Sequence, residues 1–146
     1  VRVLDPPAAA RGAELGDVEV TMLPAHASPE NRLPEYPEYA LRAGCRDGVI
    51  PVRVFVGSDG NVTGQRDVPD RPLGSDQCLS AFRAAVQAAV QEWRFAPAFR
   101  QTKTPGRELP SGGTSLPQWD QEPIAIFVDL EFIFEARDGQ GIVRAN

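Results

Sequence analysis

At 146 residues the chain has the length of one domain, enough to bury a single core with a helix packed on a sheet, and its 14 prolines and 13 glycines demand a good deal of loop. Fifteen basic against twenty acidic residues leave a net charge of −5, the wrong sign for neutralising a phosphate backbone or adhering to an anionic membrane, which argues against nucleic acid as a partner. No run approaches the roughly 20 consecutive apolar residues of a membrane span, because the most apolar stretch, residues 124–134, is interrupted by Asp129 and Glu131.

Residues 1–34 read as an extended linker or flank. Asp5-Pro6-Pro7, Pro24, Pro29 and Pro34 break any long helix, and only Val18-Glu19-Val20-Thr21-Met22 alternates like a short strand that could join a sheet edge. The domain proper is expected over residues 35–136. It opens with a short helix at 36–44, where Pro37 suits a first turn and Gly44 the left-handed position after the last. Over 49–56, Ile50, Val52, Val54 and Val56 share one face and Arg53 and Phe55 the other, the period of a half-buried strand. Pro51 cannot donate a ladder hydrogen bond and belongs near the strand's start or at a bulge.

Ser58-Asp59-Gly60-Asn61 predicts a tight hairpin, since Asp-Gly readily takes positive φ, and the more polar return strand at 61–68 suits an outer position. A long helix is expected at 76–95, with Leu79, Phe82, Val86, Ala89, Val90 and Trp93 recurring at three- and four-residue steps. Ser75 or Asp76 can cap it and Pro97 marks its end. Residues 100–122, with Gly112-Gly113 and little periodicity, read as a functional or disordered loop.

The last strand is expected at 124–134. Ile126, Val128, Leu130, Phe132 and Phe134 lie on one face and Phe127, Asp129, Glu131 and Ile133 on the other. At about 3.3 Å per residue it spans roughly 36 Å, longer than the first strand can fully pair. Residues 137–146 read as a flexible tail. These elements predict an α+β fold: a three-stranded antiparallel sheet, one long helix packed on one face, and a short N-terminal helix.

The segments Tyr36-Pro37…Ala40…Gly44, Gly48-Val49…Val52…Val54…Val56…Asp59-Gly60-Asn61-Val62 and Ala85…Ala89-Val90…Trp93-Arg94-Phe95-Ala96-Pro97-Ala98 resemble the TonB C-terminal domain family. The resemblance covers about residues 34–98 and the final strand. It implies a non-enzymatic periplasmic domain of an energy transducer, tethered to the inner membrane by a segment ahead of Val1 and driven there by ExbB–ExbD. It also implies that the TonB box of an outer-membrane transporter adds as a strand beside the last strand, by β-augmentation. The expected partner-binding residues are Ile124, Ile126, Phe127, Val128, Leu130 and Phe132, with Tyr36 and Pro37 beside the groove and Trp119 in the long loop. A homodimer formed by strand exchange at the same edge is a further expectation. The alternative keeps the fold but makes it a periplasmic scaffold, sensor or envelope-linking module.

Cys45 and Cys78 are too far apart in sequence for a CxxC site, and with a single histidine no metal or cofactor is expected. Cys45 precedes the first strand and Cys78 opens the long helix after the second, so a hairpin brings both to one end of the sheet and allows a disulfide. The oxidising compartment implied by the resemblance favours it, with a thiol activated at the helix start or two inert thiols as alternatives. No catalytic residue is assigned. Ser28 near His26 is not by itself a catalytic geometry, and Asp59, Asp67 and Asp70 fall where turns use aspartate. Trp93 and Phe95 are read as core.

Overall fold

A computed structural model describes residues 18–71 and 76–146. Residues 1–17 of the expected flank, and Ser75 as a candidate cap, lie outside them. In chain order the elements are β1 (Glu19–Leu23), β2 (His26–Ala27), α1 (Glu38–Arg42), β3 (Gly48–Val56), β4 (Val62–Arg66) and α2 (Gln77–Val90). They continue with β5 (Phe95–Ala96), β6 (Ala98–Thr104), β7 (Gln118–Ile124), β8 (Ile126–Arg137) and β9 (Gln140–Ala145). The class is α+β with antiparallel sheets, but the main sheet has four strands rather than three, in the order β4-β3-β8-β9. A second sheet, β1-β6-β7, and the two-stranded ribbon β2-β5 complete the architecture.

The core follows from the two periodicities. Ile50, Val52, Val54 and Val56 of β3 are all buried, as are Phe132 and Phe134 of β8, and α2 lays Phe82, Val86 and Val90 across them. Phe82 stacks on Phe134 at 4.4 Å between ring centroids, and Trp93 meets Phe132 edge-on at 5.5 Å. Each such side chain removed from water contributes about 1.5–3 kcal/mol. The tight turn forms where expected. Gly60 has φ 87°, the Asn61 N–H donates to Asp59 Oδ1 at 3.0 Å, and a Cβ on Gly60 would lie 2.1 Å from the Phe95 carbonyl oxygen.

Pro51 is accommodated inside β3 by the length of its neighbour. It stands opposite Glu131, whose carbonyl faces β9, so the backbone side on which Pro51 lacks a donor points toward β4. There β4 pairs only Arg53 to Val56 and has already ended.

The Asp76 side chain caps α2, with Oδ1 accepting from the amides of Cys78 at 2.6 Å and Leu79 at 3.2 Å. Asp76→Ala leaves two first-turn donors without that partner, and denaturant unfolding should register a loss of about 1 kcal/mol.

Three expectations are corrected. Residues 100–122 are not a structureless loop: β6 and β7 pair from Ala98↔Ile124 to Thr104↔Gln118, and β1 adds to β6, so the 18–22 alternation does join a sheet edge. Residues 18–34 are folded against the rest, with Ser28 N–H bonded to the Arg94 carbonyl at 2.9 Å and the Trp93 indole N–H to the Arg32 carbonyl at 2.8 Å. Residues 137–146 are no tail. Asp138 and Gly139, at φ 52° and 74°, turn the chain tightly so that β9 pairs with β8.

Candidate functional site

The two edges of β8 are covered unequally. On one side β3 pairs every residue from Ile126 to Phe134; the chain breaks at Ala125 into β7 and β8, so the twelve-residue β8 outruns the nine-residue β3 not at 124–125 but at its other end, over residues 135–137. On the other side β9 pairs Phe132 to Arg137, and the Asn146 N–H reaches the Glu131 carbonyl at 2.8 Å. Among the described residues no strand covers that second edge over 126–130. Because Glu131 directs its carbonyl to the β9 side, and backbone orientation repeats every second residue, Asp129 and Phe127 turn their N–H and C=O groups to the open edge.

The side chains of this segment are fixed from both faces. Ile126, Val128 and Leu130 are half-buried against the core. On the outer face Arg53 forms a two-point ion pair with Asp129, Nε to Oδ1 at 2.9 Å and a terminal nitrogen to Oδ2 at 3.0 Å. Its guanidinium lies 4.0 Å over the Phe127 ring, which meets Phe55 edge-on at 6.2 Å. The hydrogen bond from Arg53 holds the Asp129 carboxyl below its ordinary pKa, and Arg71, 2.5 Å from Glu131, does the same there. Both carboxylates therefore stay ionised and paired into mild acid, so a segment approaching the edge meets largely neutralised charge.

The remaining expected residues separate. Ile124 belongs to β7, opposite Ala98. Phe132 is fully buried and lies between β3 and β9, which leaves it neither a free side chain nor a free edge, so its expected place at a partner surface is corrected. Tyr36 packs inward, 5.2 Å from the Phe82 ring and 6.0 Å from Phe134, and its hydroxyl donates to the carbonyls of Cys45 at 3.0 Å and Arg46 at 2.7 Å. Burial, with Asp47 nearby, raises its pKa. Gly141 of β9 sits directly on that ring, since a Cβ there would be 2.2 Å from Tyr36 Cγ. Pro37 is the N-cap position of α1. Trp119 is 57% exposed in β7, with the Lys103 ammonium 5.1 Å over its ring. Cys45 and Cys78 form a disulfide, Cα to Cα 5.7 Å.

Two features escaped the sequence reading. The strand period shows Arg53 only as an outward residue, because its opposition to Asp129 depends on a register no local signal carries. The capping of β8 by β9 was signalled by Asp138-Gly139, the same dipeptide that marks the first hairpin.

Comparison of the chain with protein-family models, with curated proteins and with solved structures found no match. Among the described residues no helix is long and apolar enough to cross a membrane.

Proposed function

We propose that the chain is the periplasmic partner-binding domain of a TonB-type energy transducer, and that it takes the TonB box of an outer-membrane transporter as an added strand on the open edge of β8. The observation that carries this reading is the pair of outward-facing backbone sites at Phe127 and Asp129, on a strand whose other edge and inner face are occupied. Main-chain hydrogen bonds to those sites supply affinity, and side chains of the added strand alternate between the Phe127 face and the Val128 face. β9, with the Asn146 contact to Glu131, limits the added strand to the 126–130 stretch, about 16 Å. ExbB–ExbD acts in this reading through a membrane-tethering segment outside this chain.

Titration of the isotope-labelled chain with a box peptide should shift the amide signals of Phe127 and Asp129. Asp129→Ala removes only the pairing with Arg53 and should keep affinity within about threefold. Asp129→Pro also removes the outward N–H and should weaken binding at least roughly tenfold. Binding that leaves those amides unmoved would rule out the edge. A second copy can occupy the same edge, and concentration-dependent self-association abolished by Asp129→Pro would identify a strand-exchange homodimer instead.

A scaffold or sensor module is the second reading, favoured by the β1-β6-β7 sheet. β7 and the first residues of β1 are exposed, and Val20 and Trp119, on opposite faces of that sheet, are both solvent-facing and take no part in β8 strand addition.

A further inference from the structure

A trough of about 940 Å³ runs along the flank of α2, between that helix and the segment 28–39, and no residue of β8 lines it. Ala81, Ala84, Ala85, Ala88 and Ala89 form its floor, and Trp93 closes one end. The Trp93 indole is held there by its hydrogen bond to the Arg32 carbonyl. The alanines recur at three- and four-residue steps over about 12 Å of helix, leaving a channel parallel to the axis into which the ridge of a second helix can settle closely. Such an elongated shape suits a peptide segment better than a compact small molecule. Leu33 and Tyr39 line the walls and are 46% and 60% exposed, so apolar surface stands open to water along the trough.

The rim is acidic on balance. Glu30, Glu35, Glu38 and Glu92 border the trough against Arg32 and Arg94. Elsewhere Asp67, Glu122, Asp129, Glu131 and Glu135 each meet an arginine, yet among the described residues none of the four rim glutamates is in an ion pair. An acidic rim repels anionic lipid headgroups and attracts cationic side chains.

We propose that this trough docks a cationic amphipathic helix of a partner protein. The apolar side of that helix lies on the alanine floor and its Lys or Arg side chains meet Glu30, Glu35, Glu38 and Glu92. The site is independent of strand addition at β8, so the two can fail separately.

The test uses the full chain carrying Trp119→Phe, which leaves Trp93 as the sole indole reporter. It is titrated with a synthetic helix of about 14 residues, about 21 Å long, bearing leucine on one side and lysine on the other. A saturable change in Trp93 emission is expected, weakening as salt rises. Ala88 is exposed, so Ala88→Arg fills the floor without disturbing the core; it should leave the unfolding midpoint in place and weaken binding roughly tenfold. Glu35→Lys with Glu38→Lys should weaken it by a similar, roughly tenfold factor. Equal binding of a peptide with glutamate in place of lysine, or binding untouched by Ala88→Arg, overturns the proposal. Self-association of the chain that Ala88→Arg abolishes also overturns it, assigning the trough to a second copy.

Discussion

Phe132→Ala is expected to cost about 3–5 kcal/mol, the largest loss of any single replacement considered, and to lower the melting temperature by more than about 10 °C. Phe132 is fully buried, meets Trp93 edge-on and stands in the middle of the four-stranded sheet, opposite Ile50 on one side and Ala145 on the other. Removing its ring leaves a cavity between β8 and the end of α2. The strands around it are held by ladders on both sides and cannot close inward to fill the space. Thermal and denaturant unfolding measure the loss. Phe127→Ala is the informative comparison, because Phe127 occupies the half-exposed outer face, where its ring meets Phe55 and the Arg53 guanidinium. It should cost clearly less stability while altering the surface beside the open edge. A Phe132→Ala chain of near-native stability would mean that β8 is not the central strand described.

The contrast between Phe132 and Phe127 also shows where local sequence stops being informative. The β3 face, the Asp59-Gly60 turn and α2 could be read because each depends on periodicity or turn chemistry within a few residues. The expectation of Phe132 at a partner edge comes from the family resemblance, which carries over the last strand as a whole and says nothing of which of its residues a further strand covers. The break at Ala125, and the pairing of Gly48 to Val56 with Ile126 to Phe134, are set by register between strands far apart in the chain. The β6–β7 hairpin gave no signal for a different reason. Arg100, Gln101, Thr102 and Lys103 pair with Glu122, Gln121, Asp120 and Trp119, so neither strand has an apolar face for alternation to reveal. Its cross-strand Arg100–Glu122 ion pair becomes visible only once the register is known. The open stretch of β8 is thus legible as a strand, while its limits are set by β9, whose six mixed residues show no alternation of their own and are announced only by the Asp138-Gly139 turn before them.

Replacing the disulfide, by Cys45→Ala together with Cys78→Ser, is expected to cost about 2–4 kcal/mol, and reductant should lower the unfolding midpoint of the native chain but not of the double variant. The bond joins residues 33 apart in sequence, and the loop it closes holds the whole β3–β4 hairpin, so much of the loss comes from freeing the unfolded chain. A structural consequence follows from what Cys45 holds. Its carbonyl, with that of Arg46, accepts the Tyr36 hydroxyl, and the Tyr36 ring is the surface on which Gly141 of β9 rests. Loosening the segment around Cys45 therefore loosens Tyr36 and then β9, whereas the β3 ladder over 126–131 has no part in that chain of contacts. Hydrogen exchange in the reduced protein should accelerate first at the amides paired between β8 and β9 and last at those of Val54 and Val128. Uniform acceleration across both ladders would mean that the disulfide stabilises only through the unfolded state. Selective loss at β9 would mean that it also keeps the cover on the C-terminal half of β8, and with it the short length of edge left open at Phe127 and Asp129.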